Sequence, residues 1–415
     1  INASAPKGKS CPTKWHPKFG SGHDCDSCDD HVSGVSAEQG AVMRFWETVG
    51  LILVLSAVGL TYEIAANYLP SAKANYANIY VNDTLWGLYT NVQAVNKDFL
   101  NDHFGNKYNP FFKCNPENLD VTPGGENSNL SNAHGNDSLD YEPYYALKSN
   151  YGWEALYNLI DTLNNYSDSV EKILNVDRTL WAFAVNQVIQ NLDCYNTYYI
   201  HNYYLYQTKD GLFQMIPWDL DNSFSGAIMG FDFFSPSNIY EYDPYSTGPS
   251  LGGSTQPWDE RPLLYKLLNN THYRKIYTAH INTIIEESLD TSAIKANIDN
   301  LQALAYNAAS QDNNKAFSMS DYYSNVDDPL WTNWGFGGIL STINERKQFL
   351  LNHPEISLVS PTIDNVMLND NLVTAEVFNA NTVELLATTS EYNSKFQSFI
   401  MLDDGANGDV VANDG

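Results

Sequence analysis

Apolar and polar positions change period several times along this chain, and each change marks an element. Val49 to Leu69 is apolar almost throughout, interrupted by Glu63 and closed by Pro70, which predicts a buried helix. Its uncharged run, Thr48 to Tyr62, is shorter than the roughly 20 residues of a membrane-spanning helix, so no span is expected. The period then drops to two. Ala77 to Val81 and Trp86 to Val92 are rich in β-branched and aromatic residues and flank Asn82-Asp83, the pattern of a hairpin with a tight polar turn. Residues 114–143, dominated by Asn, Gly, Ser, Asp and Pro, have no period and predict an exposed excursion. Helical spacing returns over Trp153 to Leu163 and over Arg178 to Gln190, where Asp177 is the expected N-cap and Leu180, Trp181, Ala184, Val185, Val188 and Ile189 mark one apolar face. Two strand-like runs, Asn202 to Gln207 and Leu212 to Trp218, flank Lys209-Asp210-Gly211 and predict a second hairpin.

A Gly-, Pro- and Ser-rich excursion over 225–258 separates that hairpin from four helical runs: Leu263 to Leu268, Ile276 to Leu289, Ile294 to Tyr306 and Ile339 to Leu351. Past Pro354, short alternating runs around Ile363, Val366, Leu372, Val377, Val383 and Leu385 predict the start of a β-sandwich module, and the turn-rich last residues suggest a polypeptide that continues. The expected organisation is an irregular polar, Cys-containing arm over 1–48, one α+β domain over 49–354, and a partial Ig-like sandwich over 355–415.

Composition narrows the chemistry. With 22 basic and 49 acidic residues the net charge is −27, a field that repels phosphate backbones and anionic membrane surfaces. No nucleic-acid partner is expected, and an anionic substrate would enter with a divalent cation. Ile1 reads as a start left by processing or trimming, while scarce cysteine, many Asn, Asp, Ser and Tyr, and strong acidity fit an exported bacterial protein, extracellular or at the cell surface. No Gly-x-Ser-x-Gly, His-Glu-x-x-His, dinucleotide-binding or Walker pattern occurs, so those hydrolase, metalloprotease and nucleotide-loop classes lack support.

The second hairpin is where the candidate chemistry lies. Antiparallel pairing brings Asn202 opposite the neighbourhood of Asp219, with Asp193 upstream and Asp221 just beyond, so oxygen donors far apart in the chain become neighbours. Two carboxylates and an amide oxygen suit Mg2+ or Mn2+, and a further carboxylate can take a proton from a hydroxyl. The order base, amide ligand, hairpin, acidic ligand is that of protein kinases. Asp after a helix or strand is also a common cap and turn former, so spacing alone leaves both readings open.

The wording of these segments adds to the spacing. Asn191-Leu-Asp193, His201-Asn-Tyr-Tyr-Leu-Tyr206 and Gly211-Leu-Phe-Gln-Met-Ile-Pro-Trp-Asp-Leu-Asp-Asn-Ser-Phe224 resemble the spore coat protein H (CotH) kinase family of secreted or coat-associated atypical kinases. Tyr80-Val-Asn-Asp-Thr-Leu-Trp-Gly-Leu-Tyr89, Lys97-Asp-Phe-Leu100 and Arg346 extend the resemblance over about residues 56–354. It implies a kinase-like fold, with a small N-terminal sheet and a mainly helical C-terminal lobe, that uses ATP and a divalent metal to phosphorylate Ser or Thr of a protein substrate. Carried over by position, Asp193 is the catalytic base, Asp219 and Asn202 bind metal with Asp221 in support, and Lys113 or Lys73 meets the phosphates. The choice of Asn202 over Asn196 rests on the strand that follows it. Gln93 stands where the family tends to carry Glu, and residues 1–48 do not resemble the family's first lobe. Those departures keep a second expectation in view, a non-catalytic surface or assembly protein that self-associates. In the arm, His23-Asp-Cys25-Asp-Ser-Cys28-Asp-Asp-His31 leaves three readings: a structural disulfide from Cys11 to Cys25 or Cys28, a Zn2+ site at Cys25 and Cys28, or free thiols. Cys114 and Cys194 read as packing or turn residues.

Overall fold

The computed structural model of the chain describes residues 53–117, 127–197, 200–224, 239–246, 261–315, 317–331, 335–392, 394–406, 409 and 411–412. Contacts divide the chain into residues 1–49 and 50–415, and all described residues belong to the second unit. The arm with Cys11, Cys25 and Cys28, and its disulfide and zinc readings, lies outside the described residues, as does most of 225–258.

Helix α1 (Leu53–Ala66) is apolar on nearly every side and therefore buries itself: Val58, Leu60, Tyr62, Ile64 and Ala65 are all in the core. Strands β1 (Ala74–Val81) and β2 (Thr84–Val92) form the first hairpin. Asn82 and Asp83 both take positive φ, 49° and 61°, the turn that matches strand twist and that short polar side chains tolerate. Helix α2 (Lys97–Phe104) starts at Asn96, whose side chain accepts from the Asp98 and Phe99 amides, and stops at Gly105 with φ 64°.

A four-stranded antiparallel sheet holds the centre. It comprises β3 (Phe111–Cys114), β4 (Ala146–Leu147), β5 (Tyr203–Gln207) and β6 (Phe213–Pro217), in the order β4-β3-β5-β6. All residues of β3 and β6 are buried, because helices and loops cover both faces. Between β3 and β4 the structure corrects the expected exposed excursion at 128–131, while most of 132–143 is exposed or half-buried as expected. Ser128, Asn129, Leu130 and Ser131 are buried, and tyrosine hydroxyls replace water as partners of the backbone. Tyr195 donates to the Asn129 carbonyl, Tyr203 to that of Ser128, and the Leu130 amide donates to Tyr145 Oη.

Helices α3 (Trp153–Asn165) and α4 (Val176–Val188) pack beside the sheet. The N-cap of α4 is Asn175, not Asp177: its side chain accepts from the Arg178 amide, and its own amide is fixed to the Phe213 carbonyl. Asp177 sits in the first turn, where a carboxylate suits the helix dipole. Nor is α4 amphipathic as expected, since ten of its residues are buried.

The second half is helical, with α5 (Pro262–Asn269), α6 (Thr271–Ser288), α7 (Thr291–Gln311), a short α8 (Met319–Ser324) capped by Ser318, the two-residue strands β7 (Leu330–Trp331) and β8 (Gly335–Phe336), and α9 (Ile339–Leu351). No helix among the described residues is long and apolar enough to cross a membrane. Beyond it, β9 (Thr362–Asn369) pairs with β10 (Leu372–Phe378) and β11 (Val383–Ala387) with β12 (Gln397–Met401), as two separate antiparallel ribbons among the described residues. Between β11 and β12 the chain returns to the central sheet. The Ser394 carbonyl accepts from Asn175 Nδ2 at 3.2 Å and Gln214 Nε2 at 3.1 Å, and Ser394 Oγ donates to Asp210 in the β5–β6 turn.

Candidate functional site

Register decides what meets at the open end of the β5–β6 hairpin. Tyr203 pairs with Pro217, and the Trp218 amide donates to the Asn202 carbonyl at 3.2 Å, so Asn202 lies opposite Trp218 and Asp219 follows one residue beyond it. Lys113 and Ile216 both pair with Tyr204, which puts Lys113 in the same row two strands over. Asp193 enters from the loop after α4. Its Oδ2 accepts from Asn202 Nδ2 at 3.1 Å, and His201 Nε2 stands 3.4 Å from its Oδ1.

The turn carrying Asp219 is held from beneath by α1. Thr61 Oγ1 reaches the Leu220 carbonyl at 3.4 Å, and the buried Tyr62 lies against the backbone at Leu220 and Asp219. Asp219 and Asn202 both adopt left-handed backbone, each with φ 56°, a conformation that Asp and Asn tolerate better than other non-glycine residues. Packing that over-determines such residues aims their side chains where regular strands would not.

The carboxyls work against one another. Burial, then the charges of Asp221 and Asp193, push Asp219 well above the ordinary carboxylate range, and Lys113 pulls it back. Burial raises Asp193, while His201 and Asn222 oppose the rise. Asp221, exposed at the rim, is pushed up to about 6 by the surrounding protein and by Asp193. A cluster with this surplus of negative charge favours a bound cation.

The donor set fits a hard cation in one particular way. Among the described residues no three His, Cys, Asp or Glu side chains close into a metal cage. A cation here would therefore take few protein oxygens, from Asp219 and the amide oxygen of Asn202, and complete its shell with water and phosphate, the habit of Mg2+. Asp193 Oδ1, Trp218 Nε1 and Ser223 Oγ, all in or beside this turn and loop, are buried without a hydrogen bond, as expected of a site shaped for a polar ligand.

The structure thus brings together Asp193, Asn202, Asp219, Asp221 and Lys113. It does not bring Lys73, which is exposed at the start of β1; its charge acts on His103, and its backbone exchanges hydrogen bonds with the Gln93 backbone and side chain. Asn196 is also committed elsewhere, donating to the Phe183 carbonyl and accepting from Cys194 Sγ. Cys114 and Cys194 are buried free thiols in packing roles.

Sequence reasoning missed the groups that hold the loops. Arg261 is buried and donates to the carbonyls of Tyr195 and Thr197, clamping the loop that carries Asp193. Arg346, singled out only by resemblance, donates to the Gln187 carbonyl at the end of α4 and to those of Tyr240 and Tyr242. Tyr62 and Asn222 carried no signal of their own. His201 did, through its place beside Asn202.

Comparison with known proteins identifies the family. Residues 58–332 match the family model described as CotH kinase protein, well over half of the chain, and the chain belongs to that family. No curated protein matches.

Proposed function

We propose that this member of the CotH kinase family is an atypical protein kinase that moves the γ-phosphate of ATP to Ser or Thr hydroxyls of a protein, with Mg2+ or Mn2+. The observation that carries the reading is the convergence of Lys113, Asp219, Asn202 and Asp193 at one end of the central sheet.

In this reading the Lys113 ammonium meets the phosphates, and Asp219 with Asn202 Oδ1 holds the divalent cation, with Asp221 in support. Once bound, the cation would offset phosphate charge and orient the group in transit. Asp193 takes the acceptor hydroxyl's proton. Its burial, which lifts its affinity for a proton, makes it a better base than an exposed aspartate. Asn202 orients it by donating to Oδ2.

The test is ATP affinity by calorimetry with Mg2+ or Mn2+, together with transfer from labelled ATP, for the native chain, Asp219→Ala and Asp193→Asn. Loss of cation-dependent binding in the first variant and of transfer in the second is expected. A native chain that neither binds ATP nor transfers phosphate contradicts the reading.

A second reading, an assembly protein that keeps the fold, draws on the C-terminal ribbons. Ile363, Val366 and Leu368 on β9, and Phe399 and Ile400 on β12, are exposed and apolar. Light scattering that shows a monomer at high concentration counts against it. The extracellular or cell-surface location rests on composition, and detection of the native protein in the culture medium or at the cell surface checks it.

A further inference from the structure

The two oxygens of Asp193 are treated differently. Oδ2 accepts from Asn202 Nδ2 at 3.1 Å. Oδ1 is buried and accepts no hydrogen bond, with the His201 imidazole Nε2 3.4 Å away. Both side chains are largely enclosed, His201 at 8% and Asp193 at 17% exposure. In a regular strand, consecutive side chains point to opposite faces. His201 and Asn202 are consecutive yet reach the same carboxyl, and the left-handed backbone at Asn202, φ 56°, breaks the alternation between them.

We propose that His201 is a positioning residue for Asp193, an inference that rests on Asp193 being the base. Each carboxylate oxygen has two lone pairs. With Asn202 holding Oδ2 and the imidazole closing on Oδ1 as substrates bind, the carboxyl is kept from rotating, and its remaining lone pairs keep fixed directions toward the acceptor. In the transfer, the acceptor oxygen bonds to the γ-phosphorus as the bond from that phosphorus to the bridging oxygen of the departing ADP breaks. The acceptor's proton passes to Asp193. A carboxyl free to turn would meet that proton in only a fraction of encounters. The present 3.4 Å separation is of the kind that closes when substrates bind.

The experiment uses the full chain and three variants. His201→Phe keeps a ring and loses the donor, His201→Gln keeps an N–H at similar reach, and His201→Asn keeps one that falls short. The readouts are kcat and KM with labelled ATP and a Ser/Thr peptide mixture, ATP affinity by calorimetry, and melting temperature. His201→Phe is expected to lose about 100-fold in kcat, the cost of a misplaced reacting group, with ATP affinity and KM for ATP unchanged. His201→Gln recovers most of the loss and His201→Asn little of it. Native kcat in His201→Phe overturns the proposal. So does a loss of kcat that follows melting temperature and ATP affinity, with Gln no better than Phe, which marks a packing role. If His201→Phe does not fold, the Gln and Asn pair carries the comparison, and equal kcat in the two overturns it. A native chain that transfers no phosphate removes the base itself and the proposal with it, an outcome distinct from an active native chain indifferent to position 201.

Discussion

Replacing Asp221 by Asn should stabilise the protein at neutral pH and do nothing for it in acid. Asp221 is held at about 6 in the fold against an ordinary 3.8. A carboxyl raised by folding takes up its proton more readily in the native state than in the unfolded one. The cost of keeping it ionised therefore accumulates as pH rises from about 4 to 6, is complete above that, and is relieved as pH falls again. At about 1.4 kcal/mol per tenfold change in proton affinity the span corresponds to about 3 kcal/mol, and solvent screening at this exposed rim reduces it to about 1 kcal/mol. Asn has no charge to keep. Its neighbours Asp193 and Asp219 would also feel less repulsion, which adds to the gain in the same direction. Urea denaturation of the cation-free native chain and of Asp221→Asn, near pH 7.5 and near pH 4.5, measures the difference. The expected result is a variant more stable by about 1 kcal/mol at the higher pH and nearly equal at the lower. Millimolar Mg2+ should narrow the gap at the higher pH by stabilising the native chain more. An Asp221→Asn chain that is less stable than native at both pH values, or equally favoured at both, would show that the carboxyls do not strain one another.

Three other perturbations address separate parts of the structure. Lys113→Met should weaken ATP binding by tenfold or more, about the value of one charge-assisted hydrogen bond, while Lys73→Ala leaves it unchanged; equal affinities in calorimetry would remove Lys113 from the site. Arg261→Met strips two buried carbonyls, those of Tyr195 and Thr197, of a charged donor and should cost about 3 kcal/mol in denaturant titration, against little change if the loop stands without it. Gly105→Ala places a methyl at φ 64° and into the Tyr392 ring, so a loss of at least about 1 kcal/mol in thermal unfolding is expected, and an unchanged midpoint would refute both the backbone strain and the clash.

What the sequence made legible follows from locality. Both hairpins were readable because alternation and turn residues occur within a dozen positions, and the antiparallel register then carried Asn202 to Asp219 without further information. Lys113 was named among the lysines by resemblance, but only the pairing of β3 with β5 shows why it, and not Lys73, faces the carboxyls. Position 175 prevailed over 177 as the α4 cap for a tertiary reason: the Asn175 amide is already bound to β6, so the helix has to begin there. Both residue types cap well, and local propensity could not choose between them. The buried stretch 128–131 was misread because polar composition normally means solvent, and the hydroxyls that substitute for solvent come from Tyr145, Tyr195 and Tyr203 at some distance in the chain. The short helix α8 did leave a mark, the Ser318 to Asp321 capping box, which a search for apolar spacing passes over.

The carbonyl of Ser394 is a knot tying three threads. One is the start of the helix that leads to Asp193, another the strand that leads to Asp219, and the last the C-terminal ribbons. Asn175 Nδ2 also reaches Gln214 Oε1 at 3.0 Å, so the first two are joined directly as well. Cutting the chain after Pro354 would take one acceptor from each of two amides, Asn175 Nδ2 and Gln214 Nε2, and would release Asp210, in the β5–β6 turn, from Ser394. The ribbons are thus tied to the beginnings of the two segments whose far ends bear Asp193 and Asp219.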